Sequence, residues 1–146
     1  MISTVEKVLF LKSVGLFSKI PGEDLAQIAG IAQEVHFEKG EMVIQEGEIG
    51  DSMFLIIEGQ VFVQRLGQEL NRLGERESFG EMALLDNEPR SATVGGASDV
   101  TCLKIDREEF FELMSEKIEI AHGIIHMLTQ RLREANEKLS AQESDP

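Results

Sequence analysis

The sequence predicts a mainly β fold, an antiparallel β-roll or jelly-roll barrel that is flanked by helices in the chain. From residue 35 to about 105, short runs rich in Val, Ile and Phe alternate with glycines, which is typical of many short antiparallel strands. Helical spacing of apolar residues precedes this region and returns after it. The chain has 146 residues, 42% of them hydrophobic, which is enough for one domain with an ordinary core. We therefore expect a connecting helix in 1–15 and a folded domain over 16–140, with the β-roll over about 34–106.

Two short helices are predicted before the β-roll. Ser3 and Glu6 have the spacing of a capping box, in which each side chain accepts a hydrogen bond from a backbone N–H of the other residue. Apolar residues follow at helical intervals, which predicts a helix over 4–13. Pro21 predicts the start of a second helix over about 22–32, because proline is favoured where a helix begins.

The segment from Phe79 to Val94 carries residues that suit an anion with an attached sugar. Gly80 and Glu81 stand at the start of a predicted helical turn over 80–85, and the first N–H groups of a helix have no partner inside it, so they can face a phosphate. Arg90 can bring a planar, permanently charged group to the same phosphate. Glu81 can accept a hydrogen bond from a sugar hydroxyl, and Gly80 lets a ligand approach the backbone closely.

The chain after the β-roll is predicted to be helical. A first helix is expected over 107–115 with Asp106 as its N-cap, and a longer one over about 117–140. The last residues, 141–146, are expected to form a disordered tail. The longer helix carries an apolar seam at alternating steps of three and four residues, which comprises Ile118, Ala121, Ile125, Leu128, Leu132, Ala135 and Leu139. This seam either packs the helix on its own β-roll or pairs two chains, and we favour pairing in a homodimer.

Composition excludes several classes of function. The net charge of −13 argues against nucleic acid and anionic membrane surfaces as partners, because both are bound through Lys and Arg. No apolar run approaches 18 residues, so membrane insertion is not expected, and the first residues lack the features of a secretory signal. Cys102 is the only cysteine, which suits a reducing cytosol, and its β-like surroundings favour a buried, inert thiol. We therefore expect a cytoplasmic protein whose anion site supplies its own local positive charge.

Gly80-Glu81, Pro89-Arg90 and Ala92-Thr93-Val94 together resemble one known motif. It is the phosphate-binding cassette of the cyclic nucleotide-binding domain family, which is shared by bacterial catabolite-activator proteins, protein kinase A regulatory subunits and cyclic nucleotide-gated channels. The resemblance covers the chain from about 10 to 140.

The resemblance implies roles for individual residues. Glu81 would bind the ribose 2′-hydroxyl, Arg90 would pair with the cyclic phosphate, and nearby backbone N–H groups would complete the phosphate shell. Val63 would pack against the nucleotide, and the C-terminal helix would close over the base as a lid. The site residues predicted in this way are Val63, Phe79, Gly80, Glu81, Met82, Ala83, Arg90, Ser91, Ala92, Arg131 and Asn136.

Two places bear on the choice of base. Ser91 follows the arginine, as in the bacterial cAMP binders that this chain resembles, whereas kinase-type sites have alanine there for cAMP and threonine for cGMP. Ala135 and Asn136 stand where the catabolite-activator type carries hydroxyls that read adenine. Ala135 can neither donate nor accept a hydrogen bond, but Asn136 can do both. We expect cAMP as the ligand, with cGMP as the alternative.

The sequence thus predicts a regulatory sensor module, not an enzyme, that binds a cyclic nucleotide and transmits occupancy through its C-terminal helices. Such a module can be tethered to a larger effector protein. No cofactor or metal is expected. His122 and His126 have the spacing of paired metal ligands on a helix, but no third ligand accompanies them. Two alternatives are a structural or dimerisation module that has lost its ligand and a metal-dependent β-roll enzyme of cupin type.

Overall fold

The computed structural model describes residues 2–143, and it contains two four-stranded antiparallel sheets with helices packed on one of them. The strands are β1 (Gln33–Phe37), β2 (Met42–Ile44), β3 (Ser52–Glu58), β4 (Val61–Arg65), β5 (Gln68–Leu73), β6 (Ser78–Phe79), β7 (Thr93–Gly96) and β8 (Val100–Asp106). The helices are α1 (Thr4–Leu11), α2 (Gly22–Ile31), α3 (Arg107–Glu116) and α4 (Ile118–Glu143), with 3₁₀ turns at Gly15–Phe17 and Glu81–Leu84.

The first sheet has the strand order β1-β8-β3-β6, and the second has the order β2-β7-β4-β5. Every named pair of strands is antiparallel. This confirms the predicted antiparallel β-roll with flanking helices. The two sheets stay separate, so the roll is not a closed barrel.

Strand β3 is buried on both faces, which explains its unbroken apolar sequence. Side chains alternate in direction along a strand. Phe54 and Ile56 therefore enter the core between the two sheets, whereas Met53 and Leu55 enter a second core beneath the helices. The first sheet is thus the middle layer of the domain, and the second sheet is left with one face that the helices do not cover.

The N-terminal helix forms as its capping signal predicts. Glu6 N donates to Ser3 Oγ and Ser3 N donates to Glu6 Oε1, both at 3.2 Å, which confirms the capping box. Leu11 is fully buried and Val14 is nearly so. The segment interpreted as a connecting helix therefore packs into the helical core of the domain.

The C-terminal helices differ from prediction in two details. Asp106 is the N-cap residue of helix α3, as predicted, but its carboxylate accepts no capping hydrogen bond and lies 3.7 Å from Lys104 Nζ instead. Helix α4 continues to Glu143, three residues into the predicted tail. Residues 144–146 of that tail lie outside the described part of the chain.

Helix α4 packs on its own domain through a face other than the apolar seam. Ile120 and Ile124 are buried in the helical core, with Leu128 packed beside them. Four seam residues remain well exposed: Ile118 (59%), Ile125 (60%), Leu132 (62%) and Leu139 (58%). Of the seam residues, Leu128 packs against the domain, whereas these four do not.

Within residues 2–143, no helix is both long and apolar enough to cross a membrane.

Candidate functional site

A cavity of about 490 Å³ opens between the second sheet and the 3₁₀ turn at Glu81–Leu84. Nine of the eleven predicted site residues line it: Val63, Phe79, Gly80, Glu81, Met82, Ala83, Arg90, Ser91 and Ala92. Seven further lining residues were not among the predicted site residues, although Pro89 and Val94 belong to the motif that carries the resemblance: Ile44, Asn71, Leu73, Asp86, Glu88, Pro89 and Val94. The segment from 79 to 92 thus forms one wall, and strands β2, β4, β5 and β7 supply the rest.

Two glycines make room for the Arg90 side chain. Gly80 ends strand β6 in the left-handed region with φ 75°, and a Cβ added there would lie 2.6 Å from Arg90 Nη1. A Cβ added at Gly50 would overlap Arg90 Nε and Cζ. Any other residue at Gly80 would be strained in the backbone as well as displacing the guanidinium. The sequence motif identified Gly80 for its approach to a ligand, whereas its closest side-chain neighbour here is Arg90.

Arg90 is held in place by the backbone of strand β3. Its Nη2 donates to the Ser52 carbonyl at 2.8 Å and approaches Ser52 Oγ at 3.5 Å. Burial lowers the pKa of the Arg90 guanidinium, and the negative charge of nearby Asp51 opposes that shift. An arginine remains protonated in proteins despite such shifts. Among the described residues Arg90 forms no salt bridge, so its charge is available to an anion in the cavity.

Backbone donors converge on the same place. The N–H groups of Met82, Ser91 and Ala92 have no hydrogen-bond acceptor within the described part of the chain, and all three residues line the cavity. The Ala83 N–H, by contrast, already donates to the Gly80 carbonyl at 3.0 Å. Met82 and Ser91 are exposed and Ala92 is half-buried, so these donors are open to solvent and, beside an arginine, are free to bind an anion.

Glu81 faces the cavity as a half-buried carboxylate. The Ser78 hydroxyl lies 3.5 Å from Glu81 Oε2, at the limit of hydrogen bonding. An ionised carboxylate is an acceptor only, so Glu81 suits a hydroxyl donor such as a sugar and not an anion. Asp86 and Glu88 add two more carboxylates to the lining, which leaves Arg90 as the cation of the cavity wall.

The other end of the cavity is apolar and contains one amide side chain. Ile44, Val63, Leu73 and Val94 line this end, and Asn71 lies opposite Val63 in the register of β4 and β5. Asn71 was missed because strand β5 carries no strong apolar alternation. The available signal was the two-residue period, which places Asn71 on the same face as Leu73.

The structure does not bring Arg131 or Asn136 to the cavity. Helix α4 contacts α3 and the 3₁₀ turn at Gly15–Phe17, on the helical side of the domain. The Arg131 guanidinium lies beside Gly15, where an added Cβ would be 3.0 Å from Nη2, and Asn136 is exposed to solvent. In this arrangement α4 does not cover the site, because its buried face is occupied by the helical core.

The remaining titratable candidates do not form a second site. His122 and His126 are exposed, and within the described residues no group of three or more His, Cys, Asp or Glu residues is placed to hold a metal ion. Burial raises the pKa of the Cys102 thiol to about 12. The predicted burial of this cysteine is thus confirmed.

Comparison with known proteins finds a family model and several relatives that match this chain. Residues 34–117 match the family model described as the cyclic nucleotide-binding domain. Over 137 residues the chain is 35% identical to a cGMP-dependent protein kinase (isozyme 2 forms cD5/T2) of Drosophila melanogaster. This match covers 88% of the chain and 15% of the kinase. Over 135 residues the chain is 30% identical to a CRP-like cAMP-activated global transcriptional regulator of Mycobacterium tuberculosis. This match covers 89% of the chain and 60% of the regulator.

A solved structure extends the comparison to the fold. The N-terminal domain of a transcriptional regulator from Streptomyces coelicolor A3(2) superposes with a TM-score of 0.83 at 26% identity, over 88% of this chain and 95% of that domain. The chain therefore matches an entire domain, while it spans less than two thirds of the curated relatives.

Proposed function

Because this chain belongs to the cyclic nucleotide-binding domain family, we propose that it binds cAMP and passes on its occupancy through the C-terminal helices. The observation that carries the proposal is the meeting of Arg90 with the unpaired N–H groups of Met82, Ser91 and Ala92 in one cavity. The role is binding and regulation, not catalysis, and we place it in the cytoplasm.

The cavity has complementary regions for the three parts of a cyclic nucleotide. The cyclic phosphate would meet Arg90 and the N–H groups, since charge-assisted bonds to a planar guanidinium are strong and directional. The ribose 2′-hydroxyl would donate to Glu81. The base would lie toward the apolar end with Val63 and Asn71. This order follows the cavity from the 3₁₀ turn at Glu81–Leu84 to strand β5.

The protein as a whole repels an anion, so only charges close to the site can attract the phosphate. A net charge of −13, with Asp86 and Glu88 on the cavity wall, repels an approaching anion at long range. Arg90 acts at short range, where partial burial strengthens its attraction. We therefore expect association to become faster as salt screens the repulsion, while the bound phosphate is held by contacts that salt screens less.

The choice of cAMP over cGMP rests on Ser91. Ser91 is the residue type that resembles the bacterial cAMP binders, and it lines the cavity. Asn71 offers both a donor and an acceptor to either purine. The curated relatives include one named for cGMP and one named for cAMP, so the two ligands are tested side by side.

Transmission is proposed to be a shift in the population of α4 positions. The helix leaves the cavity uncovered here, with Asn136 exposed. A ligand that binds more tightly when α4 lies over the base would favour that position, but only by its difference in affinity between the two. Both Arg131 and Asn136 would reach the ligand only after such a movement.

A homodimer through α4 is part of the proposal. Ile125, Leu132 and Leu139 are exposed at steps of seven residues, which is the spacing of a helix–helix seam. Ile120 and Ile124 bury an adjacent face of the helix in the domain, so the exposed seam residues Ile125, Leu132 and Leu139 are left for a second copy. The chain would connect to an effector protein beyond this domain.

A thermal-shift screen tests the binding proposal. Ligand that binds the folded state raises the melting temperature in proportion to the logarithm of its excess over Kd. We expect a rise with cAMP, a smaller one with cGMP, and none with adenosine, which lacks the phosphate. No shift with either cyclic nucleotide at millimolar concentration would favour a structural module that has lost its ligand.

A further inference from the structure

Arg65 lies at the end of strand β4, outside the cavity, and was not predicted as a functional residue. Its Nε donates a hydrogen bond to the Ser91 carbonyl at 2.9 Å. Arg65 is exposed and forms no salt bridge with another described residue. Among the described residues, its guanidinium therefore bonds to the backbone of the cavity wall and pairs with no carboxylate.

The position of that carbonyl determines where the next N–H points. The peptide unit between Ser91 and Ala92 is planar and trans, and the C=O and N–H of a trans peptide point in opposite directions. Arg65 does not line the cavity, whereas Ser91 and Ala92 do. Because the Ser91 carbonyl is turned toward Arg65, the Ala92 N–H is turned to the other side, where it has no acceptor within the described residues.

Two further contacts attach the same pieces of chain to each other. The Glu46 carboxylate accepts a hydrogen bond from Leu66 N at 3.0 Å, and Glu46 N donates to Thr93 Oγ1 at 2.9 Å. Leu66 follows Arg65, and Thr93 follows Ala92. Through Glu46, these two contacts attach the end of β4 to the end of the phosphate-binding cassette, next to the Arg65–Ser91 hydrogen bond.

We propose that Arg65 is a positioning residue for the phosphate site: it orients the Ser91–Ala92 peptide so that the Ala92 N–H faces the ligand phosphate. The hydrogen bond accepted by the Ser91 carbonyl also polarises the peptide and makes its N–H a better donor. This inference rests on the proposed function, since it deepens the description of the same site.

Two substitutions of matched length separate the hydrogen bond from the charge. Arg65→Gln places an amide nitrogen the same number of bonds from Cα as Arg65 Nε, so it keeps a donor and removes the charge. Arg65→Met has the same length and no donor. Arg72→Met is the control, because Arg72 is an exposed arginine on the adjacent strand β5 that pairs with Glu69 at 3.0 Å and lies outside the cavity.

Calorimetric titration of each folded variant with cAMP gives the first measurement. We expect Arg65→Met to weaken affinity about 5- to 10-fold, Arg65→Gln to remain within about threefold of wild type, and Arg72→Met to remain within about twofold. The amide proton of Ala92 gives the second, by NMR of ¹⁵N-labelled protein. Its downfield shift on adding cAMP should be reduced in Arg65→Met and preserved in Arg65→Gln.

The outcomes distinguish this inference from the proposed function. If wild type binds cAMP and Arg65→Met binds equally well, the inference is wrong and the proposed function stands. Equal losses in Arg65→Gln and Arg65→Met would assign the effect to charge and would also overturn it. If wild type binds neither cAMP nor cGMP, the proposed function fails and this inference falls with it.

Discussion

Arg90→Ala is the substitution that most affects the proposed site. The guanidinium is half-buried, lies against Gly80, and forms no salt bridge within the described residues, so the ligand phosphate would be its ionic partner. Breaking a buried charge pair costs about 3–5 kcal/mol, and partial exposure places this site toward the lower end. A loss of about 3–4 kcal/mol corresponds to a cAMP affinity weakened about 10²- to 10³-fold.

The same substitution has a separate effect on the unliganded protein. It removes the hydrogen bond from Arg90 Nη2 to the carbonyl of Ser52, a residue that is only 3% exposed. Losing this bond should lower the free energy of unfolding by about 1–3 kcal/mol. Unfolding in urea measures that cost, and calorimetry on the folded protein measures the affinity, so the two effects are resolved.

Arg72→Ala is the control for the charge change, since Arg72 pairs with Glu69 on an exposed strand face. It should leave cAMP affinity within about twofold, because exposed ion pairs contribute little. If Arg90→Ala bound cAMP within about threefold of wild type, the assignment of Arg90 to the phosphate would be refuted.

Three other predictions concern the sugar contact, the helix seam and the buried thiol. Glu81→Gln should weaken cAMP binding about tenfold but leave 2′-deoxy-cAMP almost unaffected, because a neutral amide oxygen accepts a weaker hydrogen bond from the 2′-hydroxyl than a carboxylate does; equal losses with both ligands would exclude that contact. Leu132→Asp should convert a dimer to a monomer in light scattering, since it places a charge in an apolar seam, whereas Gln130→Asp on the same helix should not; an unchanged mass with native circular dichroism would reject the seam as the subunit contact. Cys102 should resist thiol reagents at pH 8 in the folded protein, because a pKa of about 12 keeps the thiol protonated there, and should react once the protein is unfolded in urea; rapid labelling of native protein would contradict its burial.

The cassette could be predicted from sequence because its residues are close together in the chain. Gly80, Glu81 and Arg90 lie within eleven positions, and a turn of helix between a strand and an arginine leaves few ways to arrange them. The structure adds what local pattern does not contain. Ser52 and Gly50, which hold and accommodate Arg90, come from a different part of the chain, and an isolated β-bridge between Ile49 and Pro89 brings the two segments together.

The predictions for helix α4 were limited in the same way, because a local sequence pattern does not show which parts of the chain meet in the fold. Apolar periodicity identified both α4 and its seam, but it could not say which face of the helix meets the domain. Burial of Ile120 and Ile124 decided that, and it placed Arg131 beside Gly15 and left Asn136 in solvent. Asn71 and Arg65 were missed for a related reason, since each acts across a strand pair or a loop and carries no motif of its own.

Calorimetric titration of the wild-type chain with cAMP and with cGMP tests the central claim most directly. We expect one ligand bound per chain, with cAMP tighter than cGMP. An equal concentration of Arg90→Ala should give little heat at the ligand concentrations that saturate wild type. The absence of binding heat with both nucleotides, from folded protein at several temperatures, would contradict the claim that this cavity is a cyclic nucleotide site.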